Sequence, residues 1–305
     1  MIRGVSYAGT MDAEAAFRRY EAVRGRLPDA AFPSSSRRVE TLEEVAGDYD
    51  AFVLDAFGVL NVGTTAIPGA VDRMVRLREM GKRLIVLTNA ASDPRRMAHG
   101  KYGRLGFDFA IEEVVASRDV AASRLGAIAP GARWGAIAAA GDDFADIDAD
   151  LRRWTADDPF EADAFVMLSS ADLDAATVDA LTDAMVRRPR PLAVANPDIV
   201  APREDGLTLE PGYYAHAIAD AAGIVPAFFG KPFGDAYDDV LGRLGEVPRE
   251  RIAMVGDTLH TDVLGGAAAG LGTVLIERHG LFAGLDVEGY VARSGIVPDV
   301  ICATT

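Results

Sequence analysis

Four short apolar runs, AFVLD at 51, RLIVLTN at 83, RIAMVGD at 251 and GTVLIE at 272, most restrict what this chain can fold into. Each is rich in Val, Ile and Leu with no polar alternation, the pattern of a strand covered on both faces in a parallel sheet. Amphipathic stretches lie between them. In FGDAYDDVLGRLG, Tyr237, Val240, Leu241 and Leu244 fall at i, i+3, i+4 and i+7 and form one apolar helical stripe. Alternating strand and helix predicts an α/β fold with a parallel sheet.

Three of the runs end in polar residues: Asp55, Thr88-Asn89 and Asp257. Ligands of open parallel sheets bind outside the carboxyl ends of the strands, so these sets should converge on one crevice. The middle of the chain differs. RWGAIAAAG, AFVMLSS and RPLAVANPD read as further strands with helical stretches between, but none ends like the first three. We therefore expect a core formed by 41–128 and 225–305, an inserted second α/β domain over 129–224, and an N-terminal extension over 1–40. The extension reads as a short helix around AEAAFRRYEAVRGRL followed by a Pro/Ser-rich link.

Half of the residues are hydrophobic, enough for a sizeable core. The formal charge of −15, from 46 acidic against 31 basic residues, speaks against nucleic acid or an anionic membrane surface as partner. Cys302 is the single cysteine and cannot form an intramolecular disulfide, and MIRGVSYAGTMDAEAAF lacks the apolar core of a signal peptide. The longest uncharged run, VLGGAAAGLGTVLI, falls well short of the roughly 20 apolar residues a membrane span needs. A cytoplasmic protein is expected, and a homodimer is allowed.

The chemistry starts at LDAFGVLNVG. Asp55 closes an apolar run and precedes Gly58, a residue that permits a tight turn and close approach of a ligand to the backbone. A carboxylate there can be a nucleophile, a metal ligand or a turn cap. In MVGDTLHTD, Asp257 and Asp262 sit five residues apart; two carboxylates in one loop suit a hard cation such as Mg²⁺. Lys231 in FFGKP offers an ammonium to a phosphoryl oxygen or a nucleophile, and Thr88 and Asn89 offer hydroxyl and amide donors.

In this order, Asp55, Thr88-Asn89, Lys231 and Asp257/Asp262 resemble the four motifs of the haloacid dehalogenase superfamily. The insertion between the second and third motifs, together with ANPD, GKP and GDTLHTD, is most similar to its class IIA of sugar-phosphate and related small-molecule phosphatases. The resemblance covers 48 to about 290 and implies a doubly wound, Rossmann-like parallel-sheet core with the inserted α/β domain as its cap, and a Mg²⁺-dependent phosphatase of a small phosphorylated metabolite. It implies that Asp55 is the nucleophile that becomes an aspartyl-phosphate, and that Thr88 and Lys231 hold the phosphoryl group. The metal would lie among Asp55, the Phe57 backbone carbonyl, Asp257 and Asp262. Gly58, Asn89, Asn196, Asp198 and Tyr213 would contact the substrate.

One position departs from that pattern. Two residues after the nucleophile the family carries a second aspartate, which protonates the leaving group and then activates water; here the residue is Phe57. Losing general acid/base help typically costs roughly 10² to 10⁴-fold in rate. A catalytically weakened phosphate- and metal-binding regulatory protein is therefore the alternative. A dehalogenase is a more distant one, opposed by the acids of GDTLHTD. His99, His216 and His260 are the imidazoles that could stand in for the missing acid.

Overall fold

The computed structural model describes residues 11–203 and 206–305; residues 1–10 of the expected extension lie outside the described residues. Seven strands form one all-parallel sheet, in the order Arg37–Thr41, Val300–Thr304, Gly272–Ile276, Ile252–Gly256, Ala51–Leu54, Arg83–Thr88, Val114–Ala116. Successive side chains along a strand point to opposite faces, and the packing follows. Ala51 and Val53 join Ile85, Leu87 and Met254 against Tyr237, Val240 and Leu244 of the helix Gly234–Leu244. Phe52 and Leu54 join Leu84, Val86 and Val255 against Met74 and Leu77 of the helix Ala70–Glu79. Helices cover both faces, which is why the strands read as unbroken apolar runs.

A second all-parallel sheet, in the order Ala227–Phe228, Leu192–Val194, Ala164–Met167, Arg133–Ile137, Asp150–Arg153, carries the middle of the chain. Phe165, Met167 and Val194 pack against Val178, Leu181 and Met185 of the helix Ala175–Arg187, started by Asp174, whose carboxylate accepts from Thr177 N. Ala164, Val166 and Ala193 face the other way, into the apolar cluster that also holds the core helix Gly234–Leu244. A hairpin, Val200–Arg203 with Gly206–Leu209, projects from this unit.

Two expected boundaries shift. Residues 37–40, read as linker, belong to an edge strand of the seven-stranded sheet. RRVET has a single apolar residue because an edge strand is half in water, so it lacks the buried-strand signature. Ala227–Phe228, read as core, hydrogen-bonds to Leu192–Val194 in the second sheet; two residues are too short to register as a strand. The extension does form a helix, Ala13–Ala22, capped by Asp12, whose carboxylate accepts from Ala15 N at 2.7 Å. No helix among the described residues is long and apolar enough to cross a membrane.

Candidate active site

The register sets Leu54 beside Val86 on one side and Val255 on the other. Asp55, Thr88-Asn89 and Asp257 thus leave three adjacent strands at their carboxyl ends, the crevice expected of such a sheet. Asp55 N donates to Val255 O at 2.8 Å, which fixes the nucleophile candidate to its neighbour strand. Asp262 lies one turn beyond Asp257, in a single turn of π-helix, Leu259–Val263. Such turns are uncommon and frequent at functional sites. Its Oδ2 accepts from Thr258 N at 3.0 Å, so the loop folds back on its own carboxylate.

Lys231 is buried and pairs with two of these acids, Asp55 and, at 2.8 Å, Asp262 Oδ1. Carboxylate oxygens of Asp55, Asp257 and Asp262 all lie within 4.8 Å of one another. Three carboxylates against one ammonium leave two negative charges uncompensated in a buried place, an unfavourable state. The titration behaviour reflects it. Burial pushes Asp55 up to about 7 despite the opposing Lys231 charge. Burial, then Asp262 and Asp55, push Asp257 well above the carboxylate range. Burial alone would lower Lys231, but Asp262 and Asp55 outweigh it and hold the ammonium charged. An all-oxygen donor set with this charge excess fits a hard divalent cation, which would let every acid ionise.

The cluster opens on a cavity of about 270 Å³, lined from the core by Asp55, Phe57, Thr88 and Asp257 and from the second unit by Asn196, Asp198 and Arg203. Thr88 lines it with its hydroxyl hydrogen-bonded to the oxygen of the buried Tyr102. Several candidate residues have other work. Asn89 donates to Asp198 Oδ1 at 2.8 Å and to Lys231 O at 3.0 Å, and accepts from Lys231 N at 2.8 Å. Its amide is occupied in placing Lys231 rather than free to bind substrate. Gly58 donates its N–H to Asn61 O at 2.9 Å and is absent from the cavity wall. Its φ of +75° and a virtual Cβ only 2.5 Å from Asp257 show that it seats that acid. Asn196 lines the cavity, but its amide donates to Glu210 Oε2 at 3.0 Å and its Oδ1 accepts from Asp198 N at 3.0 Å.

Tyr213 does not line the cavity. It is buried in the helix Pro211–Ala222, edge-on to Tyr214, because that helix is apolar nearly all round and has no substrate face. His99, His216 and His260 are also missing from the wall. His99 contacts Phe109 O, His216 lies near Arg26, and the buried His260 meets Glu21 of the N-terminal helix. Lys101 and Arg203 also line the wall, with Lys101 Nζ 4.3 Å and the Arg203 guanidinium carbon 4.6 Å from the centroid of the Phe57 ring, and neither is among the residues the sequence points to.

The family models agree with this geometry. One for haloacid dehalogenase-like hydrolases matches 52–147, and a second HAD-hydrolase-like model matches 228–303. The chain belongs to the haloacid dehalogenase-like hydrolases. An acid sugar phosphatase of Staphylococcus aureus is 28% identical over 232 residues, 75% of this chain and 86% of the relative. Among solved structures, a possible sugar phosphatase of the HAD superfamily from Cytophaga hutchinsonii superposes with a TM-score of 0.77 at 25% identity, covering 88% of this chain and 98% of that one. A glycerol phosphate phosphatase from Mycobacterium tuberculosis, in complex with magnesium, gives 0.67 at 27% identity, covering 84% and 75%.

Proposed function

We propose that this hydrolase is a Mg²⁺-dependent phosphatase of small phosphorylated metabolites that works through an aspartyl-phosphate on Asp55. The observation that carries the reading is Lys231 wedged between Asp55 and Asp262, with Asp257 completing an acidic cluster at the cavity floor. Asp55 is the most exposed of the three acids: its side chain is 13% exposed where Asp262 is 1%, and Asp257 as a residue is 2% exposed. Asp55 is placed to attack phosphorus, and Lys231 is placed to hold its carboxylate and a phosphoryl oxygen. Asp257 and Asp262, with Asp55 and the Phe57 carbonyl, would hold the cation, which supplies charge neutralisation at the transferred phosphoryl group. Thr88 supplies a hydroxyl at the same end. The segment 129–224, extended to Phe228 by its last strand, acts as the cap that closes the cavity and excludes water.

A second reading, a binding protein that has lost turnover, has Phe57 in its favour. Against it stands the joint retention of nucleophile, ammonium and metal acids. A screen of phosphoesters with Mg²⁺ decides between them. The phosphatase reading expects turnover that Asp55→Asn abolishes, the amide keeping the shape and losing the nucleophile. Binding without turnover on any ester would leave the second reading standing.

A further inference from the structure

The helix Ala13–Ala22 lies outside both family-model matches, which start at residues 52 and 228, yet it reaches two parts of the active site. Phe17, Tyr20 and Glu21 fall at i, i+3 and i+4, on one face of that helix. All three meet the imidazole of His260. The Tyr20 ring stacks on it with centroids 5.0 Å apart and planes 7° from parallel, Phe17 packs edge-on at 5.4 Å, and the Glu21 carboxylate accepts from its Nε2. His260 is fully buried inside the π-helical turn Leu259–Val263, two residues before Asp262. The helix therefore grips the turn that brings Asp262 to Lys231.

Tyr20 also reaches the second unit. Its hydroxyl accepts from Ile199 N at 3.0 Å, and Ile199 stands between Asp198 and Val200, both on the cavity wall. The rest of that segment is tied down as well: Asp198 Oδ1 accepts from Asn89, Asp198 N donates to Asn196 Oδ1, and Ile199 O accepts from Glu210 N. Ile199 is fully buried, so without the hydroxyl its N–H is orphaned and the segment must shift to satisfy it. Ion pairs fasten the same helix to both sides, Glu14 to Arg293 of the core at 2.8 Å and Arg19 to Asp220 of the second unit at 3.7 Å.

We propose that Tyr20 is a positioning residue for the reaction at Asp55: its ring fixes the turn that carries Asp262, and its hydroxyl fixes the wall segment 196–200 against the substrate. The inference rests on the phosphatase reading and gives an element outside the matched segments the work of keeping the two sides of the cavity in register.

Two variants separate the contacts, since Tyr20→Phe keeps the stacked ring and Tyr20→Leu keeps neither ring nor hydroxyl. Measurements are made where circular dichroism shows each variant folded. By calorimetry, Mg²⁺ affinity should stay within about twofold of wild type in Tyr20→Phe and weaken by roughly tenfold in Tyr20→Leu, the lower end of what loss of an outer-shell support costs a metal site. With saturating Mg²⁺ and nitrophenyl phosphate, Tyr20→Phe should raise KM by about 3 to 10-fold with kcat within about twofold, the split expected when substrate binding rather than the reacting centre is loosened. Met185→Ala, a cavity under the helix Ala175–Arg187 and away from the cavity wall, controls for lost stability: it should lower Tm and move neither quantity. Wild-type Mg²⁺ affinity in Tyr20→Leu overturns the role of the ring, and wild-type KM in Tyr20→Phe overturns that of the hydroxyl. If Tyr20→Leu does not fold, Tyr20→Phe alone decides, through KM. If the wild-type protein turns over no ester, the phosphatase reading fails separately and calorimetry with Mg²⁺ and inorganic phosphate judges Tyr20: weaker phosphate binding in Tyr20→Phe supports the proposal, and unchanged binding refutes it.

Discussion

Asp257 shows how little freedom the site leaves its residues. Gly58 stands against it on one side and Gly280 on the other, where a virtual Cβ would come within 1.9 Å of Asp257 Oδ2, and Leu281 N donates to that oxygen at 2.7 Å. Gly58→Ala should therefore act on the metal site rather than on substrate contacts: it should lose about 1–3 kcal/mol of stability from strain at positive φ and blunt the Mg²⁺-induced rise in Tm. Thermal melts with and without Mg²⁺ check this, and an unchanged response would remove Gly58 from the metal site. At Phe57 the expectation depends on the leaving group. Phe57→Asp supplies a proton donor that an alkoxide needs and a nitrophenolate does not, so phosphoryl transfer from sugar phosphates should quicken while the initial release of nitrophenolate from nitrophenyl phosphate changes little. A fall on every ester in a folded variant would mean the ring itself is required. Asp55, Asp257 and Lys231 were legible because each closes a strand or follows a glycine, and Asp262 because it shares the loop of Asp257. Lys101 and Arg203 were not, since only folding brings them to one ring.

Among the elements, the N-terminal helix is the one whose importance the sequence understated. Phe17 packs edge-on to His260 and Tyr290, Tyr20 stacks on His260 at 5.0 Å, and its hydroxyl accepts from Ile199 N at 3.0 Å. Arg26 pairs with Asp220 of the second unit and Arg293 with Glu14. One helix thus touches the π-helical turn carrying Asp262 and the segment carrying Asp198. Phe17→Ala should cost about 3–5 kcal/mol, as deletion of a buried aromatic does. Denaturant unfolding checks the figure; a loss below about 1 kcal/mol, the level of an ordinary exposed site, would show the helix to be an appendage. Its helical character was legible in AEAAFRRYEAVRGRL. Its docking was not, because amphipathicity names a buried face without naming the partner. The four buried core strands were legible for the opposite reason: covered on both faces, they need no partner to be recognised. The edge strand Arg37–Thr41 and the two-residue strand Ala227–Phe228 carry no such run and escaped.

At the scale of the whole molecule, the acid cluster with Lys231 carries a buried charge excess at the carboxyl end of the core sheet, and the second unit supplies one wall of the cavity. That excess couples stability to pH and metal. The folded-state pKa of Asp55 is raised from 3.8 to about 7, so without metal its contribution favours the fold below the unfolded value and is lost as pH rises through about 7. Mg²⁺ needs the ionised acids, so its stabilising effect should grow with pH over the same window and level off above it. Melting curves across that range, with and without the ion, check the sign; a Mg²⁺ effect independent of pH would contradict the charge account. The same architecture predicts an unusual rate balance. The acid replaced by Phe57 would also have activated the water that clears Asp55, so a good leaving group should phosphorylate the enzyme faster than water releases it. Rapid mixing of enzyme with nitrophenyl phosphate and Mg²⁺ measures this directly. The account predicts a burst of nitrophenolate approaching one equivalent per active site, with a phosphoryl group found on Asp55 by mass spectrometry after an acid quench. Steady turnover with no burst, and with Asp55 unmodified, would contradict it.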